Sequence, residues 1–198
     1  MEYYSVMINL NEKVDELKRQ YILQTAHEYF KNYGYEGTQI DKIAKELSIG
    51  VGTIYGYFKS KEGLFLAWLS TIIDEGYQKL LEDSKNLTDP KEKLSLCVDL
   101  KFRYFELNKS AIKGYMKNNL LSLKNISRGA EHPMIKVINK MACYIAEIKP
   151  MKEDEAMLFA HIFDNIISTY IQFLSEGDDF EEKKSEILKR FLCFLGLK

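Results

Sequence analysis

The residues from Gly50 to Leu64 read GVGTIYGYFKSKEGL and gather side chains that could contact a phosphate or a nucleic acid. The segment contains several glycines. Its hydroxyl and ammonium groups belong to Thr53, Tyr55, Tyr57, Lys59, Ser60 and Lys61. A catalytic loop, a phosphate-binding loop and a DNA-reading helix all use such residues. The kind of site therefore depends on the elements on either side.

The flanking sequence predicts helices. Apolar residues recur at steps of three and four from Val14 to Tyr33, and Gly34 follows as a C-terminal stop, which predicts a first long helix. Thr38 is a candidate N-cap for a second helix of about two and a half turns. A short third helix from Val51 to Tyr57 comes next. Ser60 is then the candidate N-cap of a longer fourth helix, and Asp89, Ser110 and Asp179 are candidate N-caps of later helices.

The second and third predicted helices have the arrangement of a helix-turn-helix, whose second member can enter the major groove of DNA. Ile54 and Phe58 lie one turn apart and can pack inward, which leaves the other side of the short helix exposed. Gly52 then allows close approach of the backbone, Thr53 offers a hydroxyl and a methyl group, and the tyrosines can bind phosphates. The alternative is that the tyrosines only pack a small helical subdomain and the lysines are solvated.

The charge distribution gives only a local sign of DNA binding. The formal net charge is −1, and residues 1–63 carry eight Lys or Arg against nine Asp or Glu. Residues 41–61 alone carry four lysines and two acidic residues, a net charge of +2. Because this charge is modest, we expect that two copies of the chain must bind together to reach useful affinity.

The region from residue 21 to 65 carries a specific run of residues. A first helix leads into NYGYEGTQIDKIAKEL and then SIGVGTIYGYFKSKEGL. This region resembles the N-terminal part of the TetR family of bacterial transcriptional regulators. The residues that match the family pattern are Gly52, Thr53, Ile54, Tyr55, Tyr57, Phe58, Lys59, Ser60 and Lys61.

The resemblance implies a regulator that binds a double-stranded DNA operator as a homodimer and responds to a small-molecule effector. It implies a DNA-binding domain at residues 12–59 and a helical effector-binding and dimerisation domain at 60–198. Together with the residue pattern, it assigns the DNA contacts to Thr38, Val51, Gly52, Thr53, Tyr55, Tyr57, Lys59 and Lys61. The chain departs from the family pattern at Ser48, Gly50, Gly56 and Gly63, and Gly50 leaves the recognition helix without the usual N-cap hydroxyl.

The rest of the chain predicts an all-α fold of about nine helices without a convincing strand. The segment from Ala156 to Ser175 contains no Lys, Arg or Glu, so little of this helix can face bulk water. We expect one side to pack on its own subunit and the other on a second copy, with the last helix beside it. The predicted interface residues are Ile167, Tyr170, Ile171, Leu174, Leu188, Phe191, Leu192 and Leu195.

Large apolar and aromatic side chains of the middle helices could enclose an effector. The candidates are Trp68, Phe102, Phe105, Tyr115, Met141, Tyr144, His161 and Phe163. These residues could also be plain core, and the polar residues from His161 to Gln172 could form a hydrogen-bond ladder instead of lining a cavity. The composition favours an elongated hydrophobic or aromatic effector, because no basic cluster indicates a strongly anionic one.

The sequence contains no pattern that is typical of an enzyme, a metal site or a cofactor site. We find no Gly-rich phosphate loop, no metal-spaced set of His and Cys and no nucleophile beside a base, so we expect no catalysis, metal or cofactor. Cys97, Cys143 and Cys193 predict free thiols, and without a signal or membrane span we expect a cytoplasmic protein. The competing function is a helical small-molecule sensor or interaction protein with weak or lost DNA binding.

Overall fold

The chain is helical throughout the part that the computed structural model describes. This part comprises residues 2–119, 132–173 and 179–197, with the backbone alone described for residues 2–10 and 116–119. Within these ranges there is no strand, which confirms the all-α fold, and no helix is long and apolar enough to cross a membrane. The helices are α1 (Glu2–Gly37), α2 (Ile40–Glu46), α3 (Val51–Phe58), α4 (Lys61–Asp83), α5 (Pro90–Leu107), α6 (Lys109–Asn119), α7 (Pro133–Ile148), α8 (Glu153–Gln172) and α9 (Phe180–Phe194), with a 3-10 turn at Ser84–Asn86.

The first helix differs from its prediction at the N-terminus. Its backbone is helical from Glu2, twelve residues before the predicted start at Val14. The predicted stop at Gly34 is correct in position, because φ is 68° and ψ is 178° there and the helix is interrupted. Glycine adopts this left-handed φ without the steric penalty that other residues suffer. The chain can therefore change direction just before α2.

Several helix starts follow the predicted capping residues. The Ser60 hydroxyl accepts a hydrogen bond of 2.9 Å from the Gly63 amide at the start of α4. The carboxylate of Asp89 caps α5, and that of Asp179 caps α9 through two amides. Each such cap satisfies amides that the helix leaves without partners and contributes about 1 kcal/mol.

Two predicted caps are wrong. The N-cap of α2 is Gln39, without a side-chain hydrogen bond, whereas Thr38 is buried and its hydroxyl donates to the Gly34 carbonyl at 2.6 Å. Ser110 lies inside α6, which begins at Lys109. Thr38 instead joins the entry of α2 to the interruption in α1.

The described residues of Met1–Thr71 and Lys109–Leu123 form one compact unit. Its core is aromatic: the Phe65 ring lies 4.5 Å from the Tyr115 ring, 5.1 Å from Phe30 and 5.1 Å from Trp68, measured between centroids. Such pairs contribute about 0.5–1.5 kcal/mol each beyond the burial of their area. This core fixes α1, which in turn supports α2 and α3.

The described residues of Ile72–Asn108 and Lys124–Lys198 form a second compact unit, in which α5, α7, α8 and α9 pack together. One face of α8 is a buried stripe at helical spacing, made of Ala156, Ala160, Phe163, Ile167 and Ile171. These two units are defined only by how closely their residues pack, and they do not identify functional domains. The proposed division into functional domains at residues 59 and 60 stays a prediction.

Candidate nucleic-acid interface

The turn between α2 and α3 is held by backbone hydrogen bonds. The Ile49 amide donates to the Ala44 carbonyl at 2.9 Å, and the Ser48 amide donates to Lys45 at 3.1 Å. Ser48 has a φ of 54°, a left-handed conformation that favours glycine. Serine therefore adopts here the conformation of a tight turn at some cost in strain.

The recognition helix α3 has one buried and one exposed side. Ile54 and Phe58 are 0% and 5% exposed, which confirms that these two side chains anchor the helix. Gly52, Thr53 and Tyr55 are exposed on the opposite side, and Val51 is half-buried at the start of the helix. Gly50 is the N-cap and makes no side-chain hydrogen bond. The Thr53 amide donates to the Gly50 carbonyl at 2.9 Å, and no N-cap side chain competes with an external acceptor such as a phosphate at the start of α3.

The glycines of α3 have no packing reason to be glycine. A Cβ added at Gly52 or at Gly56 would meet no heavy atom within 4 Å. Each glycine in a helix interior costs about 1 kcal/mol relative to alanine. A helix of eight residues that accepts this cost twice exposes bare backbone, which a nucleic acid could approach closely.

The two predicted phosphate-binding tyrosines differ in their surroundings. Tyr55 is 42% exposed, whereas Tyr57 is half-buried and its hydroxyl donates a hydrogen bond of 2.9 Å to Oδ1 of Asp15 on α1. This hydrogen bond raises the pKa of Tyr57. No local pattern predicts this contact between α1 and α3, because Asp15 and Tyr57 are 42 positions apart.

The two predicted DNA-contacting lysines make contacts within the protein. Lys59 is the C-cap of α3, with a φ of 66°, and its ammonium donates to the Gly56 carbonyl at 3.1 Å. The ammonium of Lys61 donates to the Glu36 carbonyl at 3.2 Å and lies 4.7 Å from the centroid of the Tyr35 ring. Burial lowers the pKa of Lys61. Thr38, also a predicted contact, is buried and presents no hydroxyl to a ligand.

The segment that contains this helix-turn-helix matches a known protein family. Residues 22–68 match the family model for bacterial regulatory proteins of the tetR family. This part of the chain is therefore similar to the TetR family of transcriptional regulators. The fatty acid metabolism regulator protein of Bacillus subtilis (strain 168) is 34% identical over 85 residues, which cover 43% of this chain and 44% of that protein. The chain thus matches less than half the length of this curated relative.

Solved structures resemble the fold of this chain over most of its length. The transcriptional regulator FadR from Bacillus subtilis, in complex with stearoyl-CoA, has a TM-score of 0.62 at 20% identity and covers 87% of this chain and 96% of its own. FadR from Thermus thermophilus, a TetR-family repressor in complex with lauroyl-CoA, has a TM-score of 0.67 at 18% identity, with 88% and 93% covered. At these identities the likeness concerns the fold.

The predicted effector-pocket residues divide between the two compact units. Trp68 and Tyr115 are fully buried in the aromatic core of the first unit, and Trp68 donates a hydrogen bond to His27. In the second unit, His161 lies on the exposed side of α8. The other five side chains are buried in the second unit, and they are Phe102, Phe105, Met141, Tyr144 and Phe163.

An open groove of about 550 Å³ lies beside α5 and α9 in the second unit. It is lined by Asp99 and Lys184, which form an ion pair of 2.5 Å, and by apolar side chains that include Leu188 and Leu192. None of the predicted effector-pocket residues lines this groove. Sequence composition could not distinguish aromatic residues that line a cavity from those that fill a core.

The polar residues of α8 lie along one arc of the helix, and one edge of this arc faces α5. Asp164 and Ser168 face α5, where the Lys101 ammonium forms an ion pair with Asp164 and a hydrogen bond of 2.8 Å with the Ser168 hydroxyl. His161, Asn165 and Gln172 are exposed. The single polar stripe inferred from the sequence is therefore present: its edge next to α5 is bonded to Lys101, and the rest of it is exposed.

The predicted dimer-interface residues differ in burial. Within the second unit, four of them are buried: Ile167, Ile171, Phe191 and Leu195. Tyr170, Leu188 and Leu192 are partly exposed, and Leu174 lies outside the described residues. Apolar side chains that the prediction omitted are the most exposed on α8 and α9, with Leu158 at 59%, Phe173 at 75% and Phe194 at 58%.

Proposed function

We propose that this chain is a dimeric, ligand-responsive repressor that binds a palindromic DNA operator through α3. The observation that carries the proposal is the division of α3 into buried anchors, Ile54 and Phe58, and an exposed side with Gly52, Thr53 and Tyr55. A short helix fixed in this way can enter a major groove and present hydroxyl groups and bare backbone to base edges and phosphates. A cytoplasmic location follows from this proposal, because the chromosome is there.

The charge of the interface sets the expected strength of binding. The net charge of +2 over residues 41–61 is too small for one protomer to bind tightly. If each protomer neutralises about four phosphates, a dimer has a slope of log K against log salt near −7, at about −0.9 per phosphate. Two recognition helices held about 34 Å apart would contact successive major grooves on one side of the duplex.

We propose that α8 and α9 form the dimer interface with a second copy. The support is the exposed apolar side of these helices, marked by Leu158, Phe173 and Phe194. The rings of Phe159 and Phe194 meet edge to face at 5.7 Å, so they already form a paired apolar surface across the two helices. Covering this surface would remove from water side chains that are otherwise costly to expose.

We propose that the effector carries a long apolar chain. Two structural neighbours are complexes with stearoyl-CoA and lauroyl-CoA, and the curated relative is a fatty acid metabolism regulator. The buried aromatic side chains of the second unit, such as Phe102 and Phe163, offer a suitable apolar environment once they separate. An effector that lowers operator occupancy a hundredfold must favour the released state by about 2.7 kcal/mol.

The second candidate function is a helical small-molecule sensor with weak or lost DNA binding. The lysine contacts favour it: Lys59 and Lys61 both donate to carbonyls of their own chain. Ammonium groups used in this way contribute less to phosphate binding unless DNA displaces the internal acceptors.

Selection of genomic DNA fragments with the purified protein, followed by a salt titration, separates the two candidates. The regulator predicts an enriched palindrome and a steep loss of affinity between 50 and 200 mM salt, on the order of a thousandfold or more. The sensor predicts no enrichment and no binding at low salt. Addition of a long-chain acyl-CoA to the selected complex then tests the effector, since release is expected with the long chain and not with free coenzyme A.

A further inference from the structure

The N-terminal part of α1 contacts the recognition helix at two points. The Tyr57 hydroxyl donates to Oδ1 of Asp15 at 2.9 Å, and the Arg19 guanidinium lies 5.4 Å from the centroid of the Phe58 ring. Tyr57 and Phe58 are adjacent residues of α3. The N-terminal part of α1 therefore contacts α3, the helix that we propose to enter DNA.

This contact lies outside the segment that matches the family. The family model covers residues 22–68, whereas Asp15 and Arg19 precede it on a helix that is continuous from Glu2. The Asp15 side chain is 65% exposed, and the Lys18 ammonium lies 3.7 Å from its carboxylate. Asp15 is thus a solvated anion beside the recognition helix, with a second partner within reach.

Tyr57 cannot serve Asp15 and a phosphate at the same time. A phenol has one proton to donate, and a phosphate oxygen that accepts it must replace the carboxylate oxygen. The carboxylate also repels a phosphate that approaches the same hydroxyl, an effect that solvent and salt reduce at exposed positions. The hydrogen bond stabilises the free protein and the repulsion destabilises the DNA-bound state, so both effects oppose binding.

We propose that Asp15 competes with a DNA phosphate for the Tyr57 hydroxyl and thereby limits the affinity of this regulator for DNA. The inference rests on the proposed function, because it requires that α3 binds a duplex. On binding, the Tyr57 hydroxyl turns to the phosphate and the Asp15 carboxylate keeps its pairing with Lys18, one helical turn away. The N-terminal part of α1 then lowers the affinity for DNA, and it lies outside the segment that matches the family model.

The test compares Asp15→Ala with Glu16→Ala by fluorescence anisotropy on a selected operator duplex. Glu16 is the adjacent exposed residue, and its carboxylate accepts from Gln20 on α1. Both variants change the net charge by one and introduce the same residue. We expect Asp15→Ala to bind about three- to tenfold more tightly at low salt, and Glu16→Ala to change affinity less than about twofold.

Tyr57→Phe distinguishes competition from simple repulsion, because it removes the hydroxyl and keeps the ring. In the Tyr57→Phe background, Asp15→Ala should lose most of its gain. A gain that is equal in both backgrounds, an equal gain from Glu16→Ala, or no gain at all overturns the proposal while the proposed function stands. If neither the unaltered protein nor any variant binds DNA at low salt, the proposed function and this inference fail together. Circular dichroism melting of each variant confirms that it is folded.

Discussion

The indole nitrogen of Trp68 donates a hydrogen bond of 3.0 Å to Nδ1 of His27. The indole is fully buried, and the imidazole meets it edge to face with ring centroids 6.0 Å apart. The hydrogen bond joins α4 to α1 inside the first compact unit, the unit that carries α3. His27 thus provides an acceptor for the buried indole N–H, which would destabilise the fold if it had no hydrogen-bond partner.

We predict that His27→Ala destabilises the protein by about 1–3 kcal/mol, because it leaves the buried indole donor without an acceptor. Urea unfolding followed by the fluorescence of Trp68, the single tryptophan, measures this change. Trp68→Phe followed by circular dichroism is the comparison, and in that background His27→Ala should cost clearly less. Equal costs in both backgrounds would mean that the hydrogen bond contributes nothing measurable.

Glycines at two positions near α3 should respond in opposite ways to alanine. A Cβ at Gly63 would lie 1.9 Å from the Phe58 carbonyl oxygen, whereas a Cβ at Gly52 would meet nothing within 4 Å. We expect Gly63→Ala to destabilise the fold by about 2–4 kcal/mol and Gly52→Ala to stabilise it by up to about 1 kcal/mol. If Gly52 admits a close backbone approach, Gly52→Ala also weakens operator binding, which anisotropy measures. If Gly52→Ala stabilises the fold and leaves operator affinity unchanged, Gly52 does not have that role.

The buried side of α3 was predictable, and the contacts of the polar residues in the neighbouring elements were not. Ile54 and Phe58 follow from a spacing of four residues, which holds wherever a helix is covered on one side. The acceptors of Thr38 and Lys61 are backbone carbonyls of Gly34 and Glu36, whose positions depend on the interruption of α1. No local pattern encodes such acceptors, so the family resemblance and the residue types led us to assign these polar groups to DNA.

A sequence signal for the early start of α1 did exist. Apolar residues recur at alternating steps of four and three at Tyr3, Met7, Leu10, Val14, Leu17 and Tyr21. This period is helical, and the prediction used only its second half. The effector pocket had no comparable signal, because Trp68 and Phe163 belong to cores of different compact units and their aromatic character is the same.

Two of the cysteines should differ strongly in reactivity. Cys97 is buried, and burial raises the pKa of its thiol to about 12, whereas Cys143 is exposed. At pH 8 a pKa of about 12 leaves a thiolate fraction of about one in ten thousand, so Cys97 should react with a thiol reagent far more slowly than Cys143. Labelling followed by mass spectrometry of peptides measures both rates, and denaturation should make them equal.

The same pKa shift has a consequence for stability. Unfolding returns the Cys97 thiol to an ordinary pKa, so above that pKa the unfolded chain binds fewer protons than the folded one and stability falls as pH rises. Cys97→Ser should reduce this alkaline loss. Rapid labelling of Cys97 in the native protein would contradict its burial.

The proposed dimer interface predicts different effects of one substitution at two exposed leucines. Leu158 on α8 and Leu107 at the end of α5 are 59% and 61% exposed. We expect Leu158→Glu to shift the protein from dimer to monomer, because it places a charge in an apolar contact, and Leu107→Glu to leave the dimer intact. Sedimentation velocity at several concentrations measures both. A monomeric unaltered protein, or equal behaviour of the two variants, contradicts the interface.

The central claim is that the exposed side of α3 reads an operator, and Thr53 tests it most directly. The measurement is the ratio of affinities for the selected operator and an unrelated duplex, determined for Thr53→Ala and for Thr88→Ala, an exposed threonine of the second compact unit. We predict that Thr53→Ala lowers this ratio by about ten- to a hundredfold, since two protomers each lose a contact worth about 1 kcal/mol or more. Thr88→Ala should leave the ratio unchanged. An unchanged ratio for Thr53→Ala would show that α3 does not read the DNA.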